Sequence, residues 1–261
     1  MRSILVFADH ADPATETRLE TALSLARSSG GHVSVLVDTP IARFMAMDAM
    51  GGSYLAADAI RDAVERDDAY AEALAERLKR EDVPFDIQRG EDEPVDALAD
   101  ASRLADVIVL SRGCLFAGQL AVSARAPILV VPETGVVGVP FTRAAVAWDG
   151  SQEAAAAMKA ALPLLAAAGQ ADVLIVSAEA AGYPAVDAVQ YLSRHGVHAE
   201  LHDLARAGST EGTLAAEVHK IGADLLVMGA YGHSRFREFI VGGVSRAFLE
   251  SEGGPTLLLA H

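Results

Sequence analysis

The stretches "LADVIVLSR" (104–112) and "GADLLVMGA" (222–230) repeat one pattern, and this repetition decides the fold. In both, an Ala-Asp pair precedes an unbroken apolar run, which is typical of a parallel strand buried on both faces. A second apolar run follows each of them, "APILVVP" (126–132) and "GPTLLLA" (254–260). The sequence therefore predicts two copies of one α/β unit.

The beginnings of the two copies also match. "RSILVFAD" (2–9) and "RAAVAWDG" (143–150) are short apolar runs that reach an aspartate. Elements follow in the same order, with helices predicted over 13–29 and 152–168 and strands over 32–37 and 171–176. We predict two tandem, doubly wound, five-stranded parallel-sheet domains of Rossmann-like α/β fold, spanning 1–134 and 142–261. The Pro- and Gly-containing stretch 132–142 is the predicted linker.

Composition narrows the function. Hydrophobic residues make up 51% of the 261 residues, and the net charge is -15, which disfavours nucleic acid and anionic membranes as partners. The apolar start is too short for a secretory signal, and the apolar runs are too short to span a membrane. Cys114 is the single cysteine, so no internal disulfide forms. We expect a cytoplasmic protein.

The two copies differ in length at one informative place. Asp106 and Pro127 are 21 positions apart, whereas Asp224 and Pro255 are 31 apart, so the second copy has ten extra residues between its last two strands. The first copy has 22 more residues upstream, which we expect around 41–60.

The ten extra residues fall in "GAYGHSRFREFIVGGVS" (229–245). From Gly229 to Arg246 there are three Arg and one Glu, a local excess of positive charge in an acidic chain. Glycines allow a ligand to approach the backbone, and the amides before the helix predicted from Val244 would form an anion site. Phosphate matches this chemistry.

The spacing G-x2-G-x9-G at Gly229, Gly232 and Gly242, together with "VAWD" and "ADLLVMG", resembles the nucleotide signature of the universal stress protein family. The resemblance covers nearly the whole chain as a tandem protein. It implies ATP, with or without Mg²⁺, or another adenine nucleotide, bound for regulation in a stress response. It also implies that the fifth strands of the halves pair as an intramolecular pseudo-dimer, and leaves a homodimer of two chains and an unknown protein partner open.

Carried to matching positions, the resemblance implies three groups of binding residues. The adenine and ribose end is lined by Ala147, Trp148 and Asp149, with backbone contacts to the base from Val176. Met228 and Gly229 flank the ribose. The phosphates are cradled by Gly232, His233, Gly242, Gly243, Val244 and Ser245.

Gly243 departs from the signature, which prefers Ser or Thr there. The lost hydroxyl is worth roughly 1.5–3 kcal/mol, so we expect weakened or retuned binding. The first copy has neither the spacing nor the length for this loop. We expect that it binds no ATP and that Asp9 caps a strand end.

Other interpretations of these residues stay open. The loop could be structural, in an interaction module without nucleotide, or the protein could hydrolyse ATP slowly. The sequence has no G-x-x-x-x-G-K-[ST] and no evident carboxylate pair, so we predict no catalytic residue. His198, Glu200 and His202 share one predicted strand face, but without further ligands we predict no metal site. We expect Cys114 to be a small buried residue.

Overall fold

Strands and helices alternate along the first half of the chain. The structure, a computed structural model, describes residues 1–42, 53–176, 182–230, 243–251 and 253–261, without the side chains of 53–56. In the described part, the elements of this half are β1 Ser3–Ala8, α1 Thr15–Ser29, β2 His32–Asp38, α2 Ser53–Leu78, β3 Phe85–Gly90, α3 Pro94–Ala101, a 3-10 turn Ser102–Leu104, β4 Val107–Ser111, α4 Ala117–Ser123 and β5 Ile128–Val131.

The second half repeats this order. Its described elements are β6 Ala144–Ala147, α5 Gln152–Ala168, β7 Gln170–Val176, α6 Ala185–Arg194, β8 His198–Leu204, α7 Thr210–Ile221, β9 Leu225–Gly229, α8 Gly243–Glu250 and β10 Thr256–Ala260. No described element falls in 132–143, between β5 and β6. The domain boundaries 1–134 and 142–261 stay a prediction.

All ten strands join in one sheet, in the order β3-β2-β1-β4-β5-β10-β9-β6-β7-β8. Each half contributes five parallel strands. The halves meet where β5 and β10 pair antiparallel, with Leu258 opposite Leu129. The α/β fold class with its mostly parallel sheet is confirmed, and the fifth strands pair as the resemblance implies.

Local sequence explains the long helices that follow β1 and β6. Ser151 caps α5, because its hydroxyl accepts a hydrogen bond from the amide of Ala154 at 3.1 Å. Gly30 and Gly169 end α1 and α5 with φ of 62° and 77°, a left-handed conformation that glycine adopts without strain. These helix ends agree with the sequence prediction.

Helices cover both faces of the sheet, and each face has its own apolar core. Helices α1, α2, α5 and α6 pack on one face, and α3, α4, α7 and α8 pack on the other. The extra length of the first half goes largely into α2, which has 26 residues where α6 has 10. The rest of the predicted insertion, 43–52, lies outside the described residues.

None of the helices that the structure describes is long and apolar enough to cross a bilayer.

Candidate functional site

The candidate site lies where the strand order of the second half reverses. After β6 the chain moves outward to β7 and β8, then returns to β9 on the other side of β6. Ala147 at the end of β6 lies opposite Met228 of β9, so Asp149 and Gly229 follow at the same edge. Parallel α/β sheets bind ligands outside the carboxyl ends of their strands at such a point.

Asp149 shapes the turn from β6 into α5. Its carboxylate accepts a hydrogen bond from the Ser151 amide at 2.9 Å, directly before the α5 cap. Gly150 between them has a φ of 79°, and a Cβ there would lie 2.8 Å from the Tyr183 nitrogen. Asp149 thus has the capping role that the sequence allowed, at the edge where ligand contact is also predicted.

Gly229 has a packing role that the sequence did not reveal. A Cβ on Gly229 would lie 2.6 Å from the backbone nitrogen of Ala154, in the first turn of α5. Glycine at the end of β9 therefore lets α5 approach the sheet closely. This requirement is independent of any ligand.

Ser245 connects the beginning of α8 to the end of β9. Its hydroxyl donates a hydrogen bond to the Gly229 carbonyl at 3.2 Å, and its side chain is buried. Val244 is half-buried, while Gly243, the first residue of α8, is exposed, and no described residue lies within 4 Å of where its Cβ would be. The structure thus places the N-terminus of α8 beside the end of β9.

The residues predicted at the base end divide between the two faces of the sheet. Ala147, Val176 and Met228 belong to the core beneath α7 and α8. Trp148 packs into the other core, and its indole NH donates to the Tyr183 carbonyl at 3.0 Å. Only the backbone of Trp148 remains at the strand end.

Three predicted phosphate-site residues, Gly232, His233 and Gly242, lie outside the described residues.

In the first half, a buried arginine occupies the corresponding point between β1 and β4. Arg18 of α1 is 2% exposed. Its guanidinium donates to the Phe7 carbonyl at 2.9 Å, to Ser111 Oγ at 2.5 Å, to Thr15 Oγ1 at 2.6 Å and to the Asp12 carboxylate at 2.6 Å. These bonds join the ends of β1 and β4 through a charged side chain of the protein itself.

The second half has small residues where the first has this network. Arg18 precedes Gly30, the cap of α1, by twelve positions, and Ala157 precedes Gly169, the cap of α5, by the same number. Ser111, the last residue of β4, corresponds to Gly229, the last residue of β9. Sequence reasoning missed Arg18, although a lone arginine on the buried face of α1 was a usable signal.

A polar cluster on β7 and β8 contains two of the three residues that share a strand face in the sequence, Glu200 and His202, with Asp172 in place of His198. Asp172, fully buried, joins Glu200 and His202 in a group whose ligand atoms lie within 4.8 Å of one another. Arg143 and His202 already bond the Asp172 carboxylate, at 2.7 Å and 2.8 Å. Burial raises the pKa of Asp172, but these hydrogen bonds outweigh it and hold the pKa below its usual value. The guanidinium of Arg143 thus compensates the negative charge of Asp172.

Cys114 is a partly buried thiol after β4. Burial raises the pKa of this thiol to about 11, which leaves little thiolate at neutral pH. We expected a small buried residue, and Cys114 does follow a strand end but is only partly buried.

Structural comparison identifies the fold. No family model matches the chain. No curated protein matches it either. Solved structures resemble it over its full length, and the chain has the universal stress protein fold in its tandem form.

Three of these structures show the extent of the likeness. A universal stress protein from Archaeoglobus fulgidus is 15% identical, with a TM-score of 0.72, over 99% of this chain and 96% of its own. A putative universal stress protein from Pseudomonas aeruginosa is 14% identical, with a TM-score of 0.58, over 100% and 93%. A protein of unknown function from Pseudomonas aeruginosa is 14% identical, with a TM-score of 0.59, over 100% and 92%.

Proposed function

We propose that the second half binds ATP, or another adenine nucleotide, at the carboxyl ends of β6 and β9. The observation that carries the proposal is the hydrogen bond from Ser245 to the Gly229 carbonyl. It brings the N-terminus of α8 to the strand end that neighbours Asp149, at the reversal of strand order. The glycine spacing in the sequence begins at Gly229, the last residue of β9, and ends at Gly242, the position before α8.

The electrostatics of this place suit phosphate. The first amides of α8 carry no hydrogen bond within the helix, and the helix dipole adds partial positive charge. Gly243 is exposed, and no described residue would contact a Cβ there, so the described part of the chain leaves its backbone accessible to an anion. Arg235 and Arg237, which precede α8 in the sequence, add positive charge that favours anion binding by a chain of net charge -15.

The base and ribose would lie toward β6 and β7. Asp149 offers a carboxylate at the end of β6, and hydroxyl groups of a ribose are its natural donors. Ala147, Val176 and Met228 make the strand ends at this edge apolar on the α8 side. Ala147 is the partly exposed one of the three, and an apolar side chain there favours a planar base over water.

We assign the protein a regulatory role in a stress response, in the cytoplasm, and no enzymatic activity. The alternatives from the sequence are an interaction module without nucleotide and a slow ATP hydrolase, and these have distinct signatures in binding and turnover assays. Binding of ATP would exclude the interaction module without nucleotide. A slow ATP hydrolase would release phosphate from radiolabelled ATP, with or without Mg²⁺.

Trp148 provides the direct test, because it is the single tryptophan. Its indole NH bonds to the Tyr183 carbonyl, and the Tyr183 amide bonds to Gly150 at 3.1 Å, next to Asp149. We expect ATP to change the Trp148 emission in a saturable way. A purified protein that gives no response and releases no nucleotide on denaturation would contradict the proposal.

A Gly243→Asp variant locates the phosphates. A carboxylate at the start of α8 favours the helix but repels phosphate, so we expect ATP affinity to fall about ten- to hundredfold without loss of stability. The matched control is Gln119→Asp, which adds the same charge to the first turn of α4, the corresponding helix of the first half. Equal affinity in both variants would place the phosphates elsewhere.

A further inference from the structure

Arg112, the residue after β4, reaches from the first half into the second. Its guanidinium donates hydrogen bonds to the carbonyls of Phe248, Ser251 and Pro255, the last two at 3.0 Å and 2.5 Å. Arg112 is 8% exposed. Arginine remains protonated even where burial lowers its pKa, as it does here. The buried positive charge of Arg112 in the first half is therefore stabilised by the dipoles of backbone carbonyls in the second half.

These carbonyls belong to the end of α8 and the turn that follows it. Helix C-termini leave their last carbonyls without partners in the helix and carry partial negative charge. Arg112 satisfies two of these carbonyls, Phe248 and Ser251, and the third, Pro255, directly precedes β10. The contact is thus a C-terminal cap of α8 that comes from the first half.

Helix α8 is held at its N-terminal end by the second half and at its C-terminal end by the first half. It has eight residues, too few to be stable alone in water, so tertiary contacts set its position. Ser245 attaches its first turn to Gly229 within the second half, and Arg112 holds its last turn. The residue of the second half that corresponds to Arg112 is Ala230, which has no guanidinium to offer.

We infer that Arg112 is a positioning residue through which the first half holds α8, and with it the phosphate end of the site in the second half. This inference rests on the proposed nucleotide function. The first half thereby contributes to the nucleotide site, although Arg18 occupies the point where its own strand order reverses. A loss of the cap lets α8 shift or fray, and the amides at its N-terminus then lose their alignment toward phosphate.

The test compares Arg112→Met, which keeps an apolar stem, with Arg112→Lys, which keeps a charge at the helix end. The control is Arg103→Met, an arginine of the same half that is 70% exposed and pairs with Asp100. For each full-length variant, hydrogen exchange is followed in α8, and affinities for ATP and for adenosine are measured by calorimetry. Adenosine contains the base and ribose and lacks the phosphates.

We expect Arg112→Met to speed exchange in α8 roughly ten- to hundredfold. ATP should bind about tenfold more weakly while adenosine binding is unchanged. Arg112→Lys should recover part of both effects, and Arg103→Met should resemble the parent.

Unchanged exchange in α8 would overturn the inference, and so would equal losses for ATP and adenosine. If Arg112→Met does not fold, the comparison of Arg112→Lys with the parent decides by the same two readouts. A parent protein that binds neither ligand refutes the nucleotide proposal itself. The exchange data then decide separately whether Arg112 holds α8.

Discussion

Replacing Arg18 by methionine should strongly destabilise the first half. The guanidinium is almost fully buried and bonds to Phe7, Ser111, Thr15 and Asp12, with distances from 2.5 to 2.9 Å. Methionine fills similar space but leaves buried oxygens without their donor. Breaking a buried charged network typically costs 3–5 kcal/mol, and Asp12 is 38% exposed and regains water, so we expect about 3 kcal/mol.

The assay is urea unfolding followed by far-ultraviolet circular dichroism, with thermal unfolding alongside. At about 2–4 °C per kcal/mol for a chain of this size, the midpoint should fall by roughly 6–12 °C. Arg61→Met is the control, because Arg61 pairs with Asp58 on the surface and is 64% exposed. We expect this control to change stability by less than about 0.5 kcal/mol. An Arg18→Met protein as stable as the control would refute the view that Arg18 ties β1 to β4.

Three further predictions concern other parts of the chain. Gly229→Ala should cost about 1–3 kcal/mol in urea unfolding, since the new methyl group collides with the first turn of α5; a neutral effect would show that α5 can move away. Asp172→Asn should lower stability at pH 7 by about 2 kcal/mol, because it breaks the pair with Arg143, which is partly exposed. Since the native pKa of Asp172 is lowered, its contribution is present above the unfolded pKa of about 3.9 and is lost as pH falls through the native value, so parent and variant should converge in acid; a constant gap would contradict this. Cys114 should react with a thiol reagent at pH 8 on the order of a hundredfold more slowly in the folded than in the unfolded protein, because its pKa is about 11; equal rates would contradict this.

The repeat in the sequence was sufficient to predict the two five-stranded parallel halves of the sheet, because unbroken apolar strands and cap residues are local signals. Gly30, Gly169 and Ser151 mark helix ends where the structure has them. The interval from Asp224 to Pro255 is ten residues longer than the interval from Asp106 to Pro127, so the sequence alone also located the asymmetry between the halves. The pairing of β5 with β10 was implied by family resemblance, since a strand sequence alone does not show which strand lies beside it, and the structure adds that the pair is antiparallel.

The sequence did not reveal contacts that depend on the packing of distant segments. Arg18 and Ser111 are 93 positions apart, and Arg112 and Phe248 are 136 apart. Nothing in the local sequence indicates that Arg18 joins the ends of β1 and β4. Nor does it indicate that Arg112 caps α8, a helix of the other half. Gly229 was explained by ligand approach alone, whereas the close passage of α5 also requires it.

Calorimetric titration of the full-length chain with ATP tests the central claim most directly, through the number of sites. The point of strand reversal has small residues in the second half and is occupied by Arg18 in the first, so we predict one ATP per chain. Gly243→Asp should weaken that single site. No binding, or two equivalent sites per chain, would contradict the account.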